Sequence, residues 1–134
     1  MKKKTYGIVV AVAVIVILVG VFVFLRWQED TWIRSSTGEW VKHGEPSKIP
    51  EKVEIQQEAL AEAESLYLTF KENTEKFSSD CLGTTSNGYA VDMVHVPRTG
   101  EDDLEKNQCL DYLSGEVDKF IEVDKEGNIV RVVD

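Results

Sequence analysis

Residues 7–25 read GIVVAVAVIVILVGVFVFL, nineteen residues without one charged or strongly polar side chain. At 1.5 Å per residue a helix of that length spans about 28 Å, close to the ~30 Å hydrocarbon core of a bilayer. Val and Ile dominate the run and are mediocre helix formers in water. In lipid every backbone N–H must bond internally, and a single helix satisfies that requirement alone. Tyr6 and Trp27 flank the run, where amphipathic rings favour the two interfaces. Lys2, Lys3 and Lys4 precede it, so the excess of basic residues predicts an N-terminus held in the cytoplasm and a single-pass topology with residues 27–134 outside.

A cleaved signal peptide is the competing reading of such a segment. The run is longer than a usual signal core, its one A-x-A (Ala11-Val12-Ala13) lies inside it, and Leu25-Arg26-Trp27-Gln28-Glu29-Asp30 makes a poor cleavage site. An uncleaved signal-anchor is therefore expected. No Cys follows the span to accept a lipid. A pilin-like leader ending at Gly7 would carry Glu where Val12 stands.

Charge divides the chain in the same place. The first 26 residues contain four of the 15 Lys+Arg and none of the 24 Asp+Glu, which leaves residues 27–134 at −13 with His neutral. So acidic a domain repels phosphate backbones, so no nucleic-acid partner is expected. Its size suits one domain of ordinary dimensions. Three segments follow: a basic head and anchor (1–26), a juxtamembrane hairpin and linker (27–50), and an outer domain (51–134).

In the second segment, Thr31–Arg34 and Glu39–Lys42 flank Ser35-Ser36-Thr37-Gly38, which predicts a hairpin with a four-residue turn. The expected register sets Arg34 against Glu39, Ile33 against Trp40 and Trp32 against Val41. Trp32 and Trp40 are candidates for a binding platform, set against a simpler role as a clamp near the interface. Glu29-Asp30-Thr31-Trp32-Ile33, Gly38-Glu39-Trp40-Val41-Lys42-His43-Gly44 and Pro46-Ser47 together resemble a juxtamembrane signature of uncharacterised, single-span, membrane-anchored proteins of bacterial candidate phyla and archaea. The resemblance covers about 20 of the 134 residues and implies no activity. Where that pattern has Cys after Trp-Ile, this chain has Arg34, and no second Cys follows the Pro, so a bridge or metal pair there is not expected. Gly44–Pro50 is a linker of turn formers.

The outer domain opens with apolar residues at helical spacing (Ile55, Ala59, Ala63, Leu66, Tyr67, Phe70), predicting one helix over 51–76. After Asp80 the period changes to two. Asn87-Gly88 marks a hairpin turn, and Tyr89–Val96 reads as a strand ended by Pro97. Residues 98–107 form an acidic loop, Gln108–Leu113 a short strand, and Val117–Val123 with Ile129–Val133 a hairpin across Asp124–Asn128. The expected fold is α+β: one long helix on a four- or five-stranded antiparallel sheet, cystatin-like or PepSY-like by analogy.

Cys81 and Cys109 are the only cysteines. Outside the cytoplasm an even count predicts a disulfide. A redox pair would be spaced C-x-x-C, and a zinc site would need both His43 and His95. Glu101, Asp102 and Asp103, with Glu105, form a candidate binding surface. They lack the alternate spacing and glycine of an EF-hand, so no metal and no cofactor are expected. His95 beside Asp92 leaves a Ser-His-Asp set open, but no G-x-S-x-G or H-E-x-x-H accompanies it. The sequence thus reads as a membrane-tethered extracytoplasmic binding or structural module without identifiable catalysis, its partner in the first instance the lipid bilayer through residues 7–25. An envelope enzyme or enzyme inhibitor acting near the 98–107 loop, and a pilin-like subunit, are the alternatives.

Overall fold

The computed structural model describes residues 2–29 and 31–134. The side chains of Lys2, Lys3, Lys4, Arg26 and Trp27, which carry the basic head and one interfacial anchor, lie outside the described residues, as does Asp30 of the juxtamembrane string. The chain divides into two compact units, Met1–Trp32 with Lys42–Lys48, and Ile33–Val41 with Ile49–Asp134.

In the first unit, helix α1 runs over Lys2–Glu29. Its stretch Tyr6–Leu25 is long and apolar enough to cross a membrane, with a mean hydropathy of 3.5 and no residue buried by the protein itself. The helix stops at Glu29, and the linker is tied locally by Trp32 Nε1 donating to Lys48 O at 3.1 Å and by an ion pair between Lys42 and Glu45.

Strands β1 (Thr31–Arg34) and β2 (Trp40–His43) form the expected two-stranded sheet. The register is one residue off expectation. Ser35 N donates to Glu39 O and Gly38 N to Ser35 O, a tight turn followed by a bulged glycine at φ +94°. That extra residue slides the pairing, so Arg34 stacks its guanidinium on the Trp40 ring at 4.6 Å instead of facing Glu39. The same device closes Thr85–Tyr89 and Asp124–Asn128, with Gly88 and Gly127 in the left-handed region.

Helix α2 (Glu51–Asn73) follows Pro50 and ends three residues before the sequence suggests, with Thr74 extended. Glu51 and Glu54 sit in its first turn and Lys71 in its last, as the helix dipole favours. It buries Val53, Gln56, Ala59, Ala63 and Tyr67. The two alanines keep that face low, so the helix lies close on the sheet residues Tyr89, Val91, Met93, Ile121, Val123 and Val132. Tyr67 runs across the last hairpin, donating from its hydroxyl to Lys125 O at 2.9 Å. A Cβ at Gly127 would come within 2.5 Å of the Tyr67 ring.

The main sheet has the order β3 (Asp80–Thr84), β4 (Tyr89–Met93), β5 (Lys119–Val123), β6 (Ile129–Val133). It is α+β as expected but mixed, since β4 and β5 are parallel while the outer pairs are antiparallel. The expectation of an all-antiparallel sheet fails on residues 108–113. They form no strand: Leu110–Leu113 is one helical turn, after 3₁₀ turns at Gly100–Asp103 and Glu105–Asn107. Without a returning strand, residues 94–118 become a crossover, and a crossover is what parallel neighbours require.

Candidate functional site

One face of the sheet belongs to α2 and the other to the crossover. Pleating sends Tyr89, Val91, Met93, Ile121 and Val123 to the helix, and Ala90, Asp92, Phe120 and Glu122 to the opposite side. The pairing registers align Cys81 with Asp92, Asp92 with Glu122, and Glu122 with Arg131. A ladder of three charged residues, Asp92, Glu122 and Arg131, therefore crosses β4, β5 and β6 under the crossover and ends at Cys81 on β3. Side chains of Asp92, Arg98, Asn107, Gln108, Tyr112, Phe120, Glu122 and Arg131 bound a cavity of about 220 Å³ there.

Arg98 comes from the crossover and holds the ladder's centre, with Nη1 2.6 Å from Glu122 Oε1 and Nη2 3.0 Å from Asp103 Oδ1. Those two carboxylates keep its guanidinium firmly charged, against the opposing effect of burial. Glu122 is buried. Arg131 lies with its guanidinium 5.0 Å from the Phe120 ring centre and makes no ion pair with an acid among the described residues. Asp92 is pushed up to about 6, chiefly by burial. Glu122 and Asp80 add to the rise, while the Cys109 N–H, 3.2 Å from Oδ1, and Arg98 oppose it. Three acids, Asp92, Asp102 and Glu122, and two arginines, Arg98 and Arg131, thus line one small cavity, which suits a ligand carrying both signs of charge.

The acidic loop folds inward instead of holding its charges apart. Asp102 is buried, accepting from Thr99 N at 2.7 Å and His95 N at 3.0 Å, and its Oδ1 lies 2.9 Å from His95 Nδ1. Burial alone would raise this carboxyl, but the Thr99, His95 and Ser79 donors outweigh it and hold it down at about 2. Asp103 serves Arg98, and Glu101 stays exposed 4.0 Å from His95 Nε2. Asp102 is therefore a structural acceptor rather than an open ligand. His95 pairs with Asp102, not with the Asp92 suggested by the sequence. Ser79 shares that same carboxylate, so the acid sits between hydroxyl and imidazole, whereas a nucleophilic relay needs the imidazole between them.

Cys81 and Cys109 are joined, with Cα atoms 4.9 Å apart. Cys109 caps a helical turn instead of opening the strand expected there. No known family model, curated protein or solved structure matches the chain. The cystatin-like and PepSY-like analogies accordingly find no counterpart, and the cavity must be read from its own residues.

Trp40 and Trp32 have separate partners. Two cations lie over the Trp40 ring, Arg34 at 4.6 Å and Lys52 at 4.1 Å, and they occupy surface that a stacking ligand would use. Its backbone N donates to Gln56 Oε1 at 2.6 Å, while Gln56 Nε2 donates to Gly38 O at 3.2 Å. Val132 N donates to Thr37 O at 2.7 Å and Arg34 pairs with Asp134, so the hairpin tip is stitched to α2 and β6. Trp32 is half-buried and hydrogen-bonded to Lys48. Sequence reasoning missed Arg98, Glu122 and Arg131. Arg131, alone in the otherwise apolar strand Ile129–Val133, and Glu122, between Ile121 and Val123, were the available signals, and both pointed outward by default.

Proposed function

We propose that the chain is a single-span, membrane-tethered module that holds its α+β domain outside the cell and binds a small solute of mixed charge in the crossover cavity. The basic head before Tyr6–Leu25 supports the orientation, and the disulfide suits an oxidising compartment. The Trp-rich juxtamembrane string supports kinship with the single-span proteins it resembles.

The ladder carries the binding reading. Aligning Asp92 beside Glu122 on neighbouring strands works against stability, and such conflicts concentrate where a protein binds or reacts. The cavity, at about 220 Å³, is smaller than the ~300–1,000 Å³ of drug-sized pockets, which favours an amino acid or a peptide terminus. Arg131 would take its carboxylate, and the Asp92–Glu122 pair its ammonium. A pilin-like subunit is less well supported, because α1 ends at Glu29 and a hairpin follows.

The test is a screen of the full chain in lipid nanodiscs, titrated with amino acids, dipeptides and neutral sugars and followed by NMR. A zwitterion should shift Arg98, Phe120, Glu122 and Arg131, and R131A should abolish the response. Shifts confined to Trp32 and Trp40, or none with any zwitterion, would defeat the proposal. Turnover of a bound peptide would favour the enzyme alternative at the same cavity, where Asp92 is placed to exchange a proton near neutral pH.

A further inference from the structure

Cys81, Asp92 and Cys109 converge at the end of the ladder, and one ligating atom from each lies within 4.8 Å of the other two. Two different constraints bring them there. The β3–β4 register sets Cys81 against Asp92, and the crossover delivers Cys109, whose N–H is bonded to Asp92 Oδ1 at 3.2 Å.

While the sulfurs are bonded to each other neither is a thiolate, and no metal can use them. A dithiol reductant opens the bond by exchange. Two electrons and two protons pass to Cys81 and Cys109, and the reductant's own sulfurs become a disulfide. The backbone then still holds the two side chains side by side, with Cα atoms 4.9 Å apart.

A tetrahedral site with sulfurs at ~2.3 Å and a carboxylate oxygen at ~2.0–2.2 Å needs ligand atoms roughly 3.5–3.8 Å from one another. The freed sulfurs reach that spacing by side-chain rotation, without movement of the strands. Asp92 is already oriented, since the Cys109 N–H fixes Oδ1 and leaves Oδ2 for a metal. A cleft lies alongside as well, lined by Cys81, Gly83, Thr84, Lys106, Gln108 and Cys109. Two thiolates and one carboxylate favour a borderline-soft ion over calcium or magnesium.

We infer that reduction of Cys81–Cys109 creates a three-ligand site, Cys81, Cys109 and Asp92, for a divalent cation of the zinc type, with its fourth position open to water from the cleft. Binding releases the two thiol protons. The site is silent in the oxidised chain and independent of the solute reading, with which it shares only Asp92.

The experiment uses the full chain in lipid nanodiscs, freed of metal and reduced with a phosphine that is removed without air before the ion is added. Co²⁺ serves as the spectroscopic probe and Zn²⁺ as the competitor. The reduced chain should bind one equivalent, with thiolate-to-cobalt charge transfer and the ligand-field bands of a four-coordinate ion. The oxidised chain should give neither. D92N should keep the charge transfer, shift the ligand-field bands and weaken binding by at least about ten-fold. C81S should remove the site, and E64Q, at an exposed position on α2, should match the unaltered chain. Equal binding before and after reduction would overturn the inference. So would a reduced chain that binds nothing or loses its near-UV circular dichroism, or a D92N chain indistinguishable in affinity and spectrum, which would mark an incidental dithiol chelate.

Discussion

Asp92→Asn should stabilise the domain at neutral pH and leave it unchanged near pH 4. The carboxyl rises from 3.8 to about 6 in the folded protein, first because it is buried. The folded state therefore holds this proton more tightly than the unfolded state does. Stability contributed by the site falls as pH rises between about 4 and 6, the opposite of the usual carboxylate. For a fully shielded group that rise corresponds to about 3 kcal/mol at pH 7. Partial exposure reduces this to roughly 1–2 kcal/mol. Asparagine keeps an oxygen for the Cys109 N–H and removes the charge. At about 4–8 °C per kcal/mol for a domain of this size, Tm at pH 7 should rise by roughly 5–15 °C. Thermal melts of both chains in nanodiscs, followed by near-UV circular dichroism from pH 4 to pH 7, measure this directly. A lower Tm for D92N at pH 7, or an offset equal at pH 4 and pH 7, would refute the electrostatic reading of the ladder.

Asp102→Asn should act with the opposite sign. Its carboxyl is held at about 2, so its contribution is present above about pH 4 and disappears as pH falls toward 2, and the difference in acid-unfolding midpoints reports it. Gln56→Leu leaves Trp40 N and Gly38 O without partners and should cost about 1–3 kcal/mol, read as a lower denaturant midpoint at unchanged m. Reducing Cys81–Cys109, 28 residues apart in sequence, should remove about 3–4 kcal/mol and lower Tm accordingly. Protease added to intact cells should degrade residues 27–134; protection of the domain, or a mature N-terminus near residue 26, would overturn the proposed topology.

Much of the architecture was legible in residue order alone. Composition sufficed for the apolar helix, because no soluble surface is built from residues 7–25. Period sufficed for α2 and for the strands 89–93, 119–123 and 129–133, because one buried face imposes its spacing on the chain. Local turn chemistry marked the Asn87-Gly88 and Gly127 hairpins. Gln56 escaped this reasoning. Its polarity suggests a solvated face, yet it is fully buried because the returning hairpin offers it an amide and a carbonyl.

Tertiary structure alone decided which strands are neighbours and which way they run. Residues 108–113 place Cys109 beside Leu110 and Tyr112 beside Leu113, a spacing of three that breaks strand alternation, and the chain there coils into a helical turn next to the disulfide. With that strand gone, β5 pairs parallel to β4, and the registers set Asp92 beside Glu122 and Glu122 beside Arg131. These residues lie 30 and nine positions apart in the sequence, with no periodicity linking them. Their meeting depends on long-range pairing, and so does Asp92's raised pKa. A side chain's intrinsic properties are written locally, whereas its neighbours, and hence its electrostatics, exist only once the sheet has closed.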